Sequence, residues 1–201
     1  MSSRFFNPEN GIWPFFAHVG DLVVLSLLWA LCCLPLLTLG SATTALYDSV
    51  FHGLRCGEED ILGRYFRTFR KELKNGILST LLWGGIAALY YLILQLLQGS
   101  GKDPVIRTGV TLFTLLPPLF LLGIFCWVFP LLSRFTFTTL ALNITALRLS
   151  LGHILRSLLM ALLALAAIMI CRLFISPLIF VPGLTTLLFT YIMEPVFSQY
   201  Q

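Results

Sequence analysis

Leu34-Pro-Leu-Leu-Thr-Leu-Gly-Ser-Ala-Thr-Thr-Ala-Leu-Tyr47 lies where a long apolar run stops and a half-polar helical pattern starts. Pro35 has no backbone donor and pushes Leu34 away from helical geometry, and Gly40 frees the backbone to turn. Upstream, residues 22–39 form an apolar run with Asp21 at its near end. Its length is close to the ~20 residues that a bilayer core requires. Downstream, Leu46, Val50 and Leu54 share one helical face, with Asp48 and His52 off it. The stretch reads as a bend between a first membrane span and an amphipathic helix, with Pro35, Gly40, Thr43 and Thr44 as its structural residues.

Composition supports the same class. Of 201 residues, 58% are hydrophobic and 11% charged, and mean hydropathy is +0.90. Soluble domains carry about 25% charged residues, and the length suits one compact bundle. The net charge of +4 is concentrated in one segment, which points to orientation in a membrane rather than to nucleic acid. No Gly-rich phosphate loop, aromatic-basic interleaving or zinc-type spacing occurs. Four of the five cysteines (Cys32, Cys33, Cys126 and Cys171) lie in apolar runs and read as small hydrophobes; Cys56 stands beside the basic segment. No cleavage pattern follows the first apolar run, which is therefore expected to stay as an anchor.

The expected architecture is all-α: a polytopic membrane helix bundle of about five spans, with amphipathic interfacial helices on the cytoplasmic side. The spans fall at about 22–39, 77–97, 109–132, 154–174 and 178–193 of a single domain. Before them, Ile12, Phe15, Phe16 and Val19 mark an aromatic interfacial helix, with Asn10 as its cap, Pro14 in its first turn and His18 facing headgroups. The pattern over 41–56 predicts one amphipathic helix, ended by the solvated Cys56-Gly-Glu-Glu-Asp60 turn. Residues 61–75 predict a second, with Leu62, Phe66, Phe69 and Leu73 on one face and Arg67, Arg70, Lys71 and Lys74 as a basic stripe. That stripe reads either as a topology-fixing flank or as a site for lipid or a partner. Residues 133–151 predict a mixed surface helix holding Arg134, Asn143 and Arg148, with Leu140, Ile144, Leu147 and Leu151 on one face. Glu194-Pro195 is expected to stop the last span.

Within the third span, Pro117 and Pro118 remove two donors and free the carbonyls of Phe113 and Thr114, which need other partners in hydrocarbon. A packed kink stabilised by Thr111 or Thr114 and a broken helix lining a polar cavity are both open readings. In the second span, Gly84 and Ala88 allow close approach of a neighbour.

Lys and Arg number six in 40–76 and three in 133–157, against one in the N-terminal tail, two in 98–108 and Arg172 alone at the end of the fourth span. The positive-inside rule places the N-terminus outside and the C-terminus in the cytoplasm. Asp21 and Arg172 then share the outer interface, where they either pair and fasten the first span to the fourth or snorkel independently.

Catalysis has no sequence support. His18, His52 and His153 fall on separate segments, no catalytic motif occurs, and the acidic trio at 58–60 lacks further oxygen ligands at loop spacing. No cofactor is expected. Sliding the sequence by 142 residues sets Pro35 on Pro177, Thr43 on Thr185 and Thr44 on Thr186, and brings Gly40-Ser41 onto Pro182-Gly183. An inverted repeat produces such a pattern.

The chain resembles the YesL-like family of bacterial integral membrane proteins. The resemblance is carried by Phe5-Phe-Asn-Pro-Glu-Asn10, Gly20-Asp-Leu22, the 34–47 bend, Arg55-x-Gly-Glu-Glu59, Phe66-x-x-Phe69 and Phe129-Pro-Leu-Leu-x-Arg134. Ser26 stands where members often carry asparagine. The family has no established activity, and its genes often accompany carbohydrate ABC-transporter components and sensor systems. The resemblance therefore implies a non-enzymatic accessory or regulatory role in carbohydrate uptake or sensing, with the bilayer and ABC-transporter subunits or a membrane sensor as partners. It supplies no catalytic residues. The alternative is a small transporter or channel built on a Pro-broken third span.

Overall fold

The computed structural model describes residues 12–100, 104–135, 138–173 and 176–198. The cap expected at Asn10, residues 101–103 and the side chains of Phe15, Phe16 and Thr111 lie outside the described residues. The described chain is all-α. Helix α1 (Ile12–Cys32) leads through a 3-10 turn (Leu36–Thr38) into α2 (Leu39–Val50), which ends in a π-turn (Phe51–Arg55). Helices α3 (Ile61–Lys71), α4 (Leu73–Ser100), α5 (Pro104–Arg134), α6 (Thr139–Gly152) and α7 (Ile154–Leu173) follow. A second 3-10 turn (Ser176–Ile179) introduces α8 (Val181–Phe197).

Among the described residues, three stretches are long and apolar enough to cross a bilayer: Leu73–Leu96, Pro117–Arg134 and Ile154–Leu173. His18–Cys32 and Val181–Phe197 are shorter apolar helices. The surface of α4 and α7 is dominated by exposed leucine and isoleucine, among them Leu89, Leu92, Leu96, Leu155 and Leu173.

The opening bend is built as its residues dictate. Helix α1 stops at Cys32, and Thr38 Oγ1 donates to the carbonyls of Cys32 at 2.5 Å and Pro35 at 2.7 Å. This satisfies acceptors that the interrupted helix leaves open. The bend falls earlier than residue 39, because Pro35 alone suffices to end α1. At the other end, the expected interfacial helix and first span are one helix: Asp21 is half-buried within α1 and does not interrupt it.

Helix α2 is not a surface helix, contrary to the expectation for 41–56. Ten of its twelve residues are buried, and it packs against α1, α3, α4, α5 and α8. Gly40, Ser41, Ala42, Thr44 and Ala45 explain this, since small side chains let other backbones come close. A Cβ on Gly40 would lie 2.5 Å from the Gly76 carbonyl oxygen, and one on Gly76 would lie 2.5 Å from the Ser41 nitrogen. Around α2 lie two apolar clusters. Leu22, Leu25, Leu46, Val50 and Tyr65 form one; Trp127, Phe129, Met160, Met193 and Phe197 belong to the larger one.

The 61–75 pattern divides at Glu72, whose non-helical ψ of 13° separates α3 from α4, so Leu73 opens the long helix. Asp60 caps α3 by accepting the Gly63 amide at 3.0 Å. The α5 helix runs unbroken through Pro117, Pro118 and Pro130. On α6, the apolar row of Leu140, Ile144, Leu147 and Leu151 faces outward, and Leu142, Ala146 and Ser150 face the bundle. Pro195 does not stop α8, which continues to Phe197 because proline in a last turn frees only the carbonyl one turn earlier.

The 142-residue offset has a structural counterpart. It carries Leu39 onto Val181, the first residues of α2 and α8. Thr43 and Thr185 Oγ1 each donate to the carbonyl four residues back at 2.7 Å, as do Thr44 at 2.9 Å and Thr186 at 2.8 Å. The surroundings differ: the first 3-10 turn packs on α4 and the second on α1, and α1 lies against α8 without packing of like extent between α7 and α2. A helix–turn–helix unit thus recurs locally in unlike settings.

Candidate functional site

The polar side chains converge around α2 in two junctions. In the first, Asp48 is buried at 6% exposure. Its Oδ2 accepts from Arg64 Nε at 3.0 Å and Thr68 Oγ1 at 2.7 Å, both on α3. His52 Nδ1, in the π-turn, lies 3.2 Å from Oδ1. Arg64 also pairs with Glu58. Burial works against the Arg64 charge, but Asp48 and Glu58 outweigh it and raise its pKa, so the guanidinium stays charged. A buried carboxylate is tolerable only with such partners.

In the second junction, Glu194 Oε1 on α8 accepts from Arg134 on α5, Nη2 at 2.6 Å and Nε at 3.2 Å, and from Tyr47 Oη on α2 at 3.3 Å. Burial, followed by the Glu194 charge, pushes the Tyr47 phenol far above its ordinary range, so it remains a donor. The Arg134 guanidinium sits 3.6 Å from the Phe51 ring centroid. Arg55 donates to the Thr190 carbonyl at 3.0 Å and lies over Tyr191 at 4.6 Å. Each junction is a lock between elements, with its charges directed at one another.

Remote hydroxyls complete two helix N-termini. The Gly40 amide of α2 donates to Thr80 Oγ1 on α4 at 3.0 Å, and the Gly183 amide of α8 donates to Ser26 Oγ on α1 at 3.0 Å. These donors have no partner inside their own helices. The carbonyl of Thr114, freed by Pro118, accepts from Tyr90 Oη at 2.6 Å. The partner for that carbonyl thus comes from α4.

The expected site residues fare differently. Gly40, Thr43 and Thr44 sit in the α2 crossing, Thr43 also accepting from Trp29 Nε1 at 3.2 Å, and Pro35 stands in the bend that leads to it. Pro117 and Pro118 lie within α5, and Arg134 anchors the second junction. Arg67, Arg70, Lys71 and Lys74 are exposed. Asp21 and Arg172 are not joined: no ion pair within 4.0 Å links them among the described residues, and Ser26 with Gly183 fastens α1 to α8 instead. Asp48, Thr68, Glu194, Tyr47 and Tyr90 join these contacts although the sequence pattern alone does not single them out. The available signal was charge or hydroxyl on an otherwise apolar helix, which marks a partnered position. Among the described residues, no three His, Cys, Asp or Glu side chains form a group able to hold a metal ion.

These features define the class: an α-helical bundle with, among the described residues, three helices long and apolar enough to cross a membrane. Within it, residues 22–94 match the family described as protein of unknown function, DUF624. The match covers less than half of the chain, from the second half of α1 into α4, and contains the whole Asp48 junction. No curated protein and no solved structure matches.

Proposed function

We propose that this chain is a multi-pass integral membrane protein of the YesL-like kind. It serves as a non-enzymatic accessory or regulatory component of carbohydrate ABC-type uptake or sensing. Five helices cross the bilayer, α1, α4, α5, α7 and α8, with the N-terminus outside and the C-terminus in the cytoplasm. The observation that carries the membrane reading is α4: over the 18-residue apolar window within Leu73–Leu96, 6% of positions are buried. In water that continuous apolar surface would far exceed what monomers expose. The outward leucines of α6 and α7 support the same solvent.

The non-enzymatic reading draws support from where the polar groups point. Asp48, Glu194 and Arg134 are committed to internal partners and fix helices. The carbohydrate link rests on the family resemblance. The transporter alternative draws less support, because α5 is helical through Pro117 and Pro118 and Tyr90 Oη donates to the Thr114 carbonyl. Affinity capture in mild detergent, with sugar present and absent, tests the proposal. Recovery of ABC-transporter subunits supports it, and sugar flux in vesicles holding the purified chain alone overturns it.

A further inference from the structure

We infer that the outer face of α3 and the first turn of α4 form a binding surface for the phosphodiester headgroups of anionic phospholipids. Arg64, the one basic side chain of α3 that turns inward, is spent on Asp48 and Glu58. Arg67, Arg70 and Lys71 of α3 and Lys74 of α4 face out. Arg67 has only Asp60 at 4.0 Å, both being largely exposed, and Lys71 has Glu72 at 3.3 Å. Arg70 and Lys74 have no carboxylate within 4.0 Å among the described residues.

The same face is apolar where it is not basic. Leu62 is 47% and Phe66 44% exposed, one turn apart and in line with Arg70. Lys74 is followed one turn later by exposed Leu78, then by Leu81 and Leu82 on the surface of α4. Cations therefore stand between two apolar patches, one continuous with the long apolar helix. A helix lying in the headgroup plane has this arrangement, with apolar side chains sunk below the phosphates and basic ones level with them. Four outward cations with little local countercharge call for an anionic surface. A soluble phosphate would explain the cations and leave Leu62 and Phe66 facing water.

The inference rests on the membrane reading, and the two fail differently: loss of that reading frees the protein from membranes without detergent. The test uses the purified full chain in nanodiscs and native mass spectrometry. Phosphatidylglycerol should be retained in preference to phosphatidylcholine. R70Q/K71Q/K74Q should reduce that preference by at least about tenfold, and R172Q should leave it unchanged. Equal retention of both lipids overturns the inference. So does undiminished phosphatidylglycerol in the triple variant, or equal binding of water-soluble glycerophosphoglycerol. Lys71 pairs with buried Glu72, so R70Q/K74Q, whose exposed side chains have no carboxylate partner among the described residues, should lose preference in the same direction at an unchanged melting temperature. As a second measurement, a spin label at Leu62 should be relaxed by oxygen more than by a water-soluble nickel chelate; the reverse order also overturns it.

Discussion

Asp48 on α2 and Arg64 on α3 meet at 3.0 Å inside the bundle, and this contact ties the buried central helix to the basic helix outside it. Thr68 and His52 complete the shell of the carboxylate. Asp48→Ala would leave the Arg64 guanidinium with Glu58 alone. Breaking a buried pair from one side costs about 3–5 kcal/mol; with Arg64 partly exposed, the lower end of that range is expected. Thermal unfolding in detergent should show a large fall for Asp48→Ala and a smaller one for Asp48→Leu/Arg64→Leu, which removes both charges. Equal losses would mean that the pair does not couple.

Gly40 and Gly84 make a second comparison. A Cβ on Gly40 would meet the Gly76 carbonyl at 2.5 Å, a backbone atom that cannot move aside, whereas nothing lies within 4 Å at Gly84. Gly40→Ala should therefore force α2 and α4 apart and destabilise by about 1–3 kcal/mol. Gly84→Ala should be neutral or slightly stabilising, because alanine favours helix. Melting temperatures that fall equally for both would place an unseen neighbour against Gly84.

Ser26 supplies a hydroxyl to the Gly183 amide across 157 residues of chain. Ser26→Ala should cost about 1–3 kcal/mol, the penalty for a buried donor left without a partner. A cysteine pair at Ser26 and Gly183 should oxidise to a crosslink, and one at Asp21 and Arg172 should not. The reverse result would restore the α1–α7 fastening in place of the α1–α8 contact.

Much of this was legible in sequence, for reasons that differ by element. Ile154–Leu173 is almost as read, because an uninterrupted apolar run flanked by polar residues and Pro177 leaves one interpretation. The break near Pro35 was also plain, since proline acts locally. The burial of α2 was not. Periodicity shows that residues 39–50 form a helix, but Asp48 argued for a surface, and its partners Arg64 and Thr68 are fixed only when α3 folds back. Arg134 and Glu194 stand 60 residues apart, and neither alone predicts the other. The close crossing at Gly40 reads as a hinge in the sequence, because a sequence does not reveal whether a glycine serves a turn or a neighbour.

On the proposed orientation, Cys56 lies on an exposed cytoplasmic turn. A variant retaining Cys56 as its sole cysteine should react with a membrane-impermeant maleimide in broken cells and resist it in intact ones. Labelling in intact cells would reverse the orientation and place the basic face of α3 outside.

Tyr90 and Pro118 offer the most specific test, because the two should be coupled through one acceptor. Pro118 denies the Thr114 carbonyl its intrahelical donor, and Tyr90 Oη supplies one from α4 at 2.6 Å. Tyr90→Phe should cost about 1 kcal/mol in the native background. In a Pro118→Ala background the restored amide competes for the same oxygen, so Tyr90→Phe should cost less there. The difference between the two costs, read from unfolding in detergent, measures the coupling. Two equal costs would mean that the tyrosine stabilises α4 against α5 by packing alone. The proline pair would then be a kink held by its neighbours, with no hydroxyl needed to complete it.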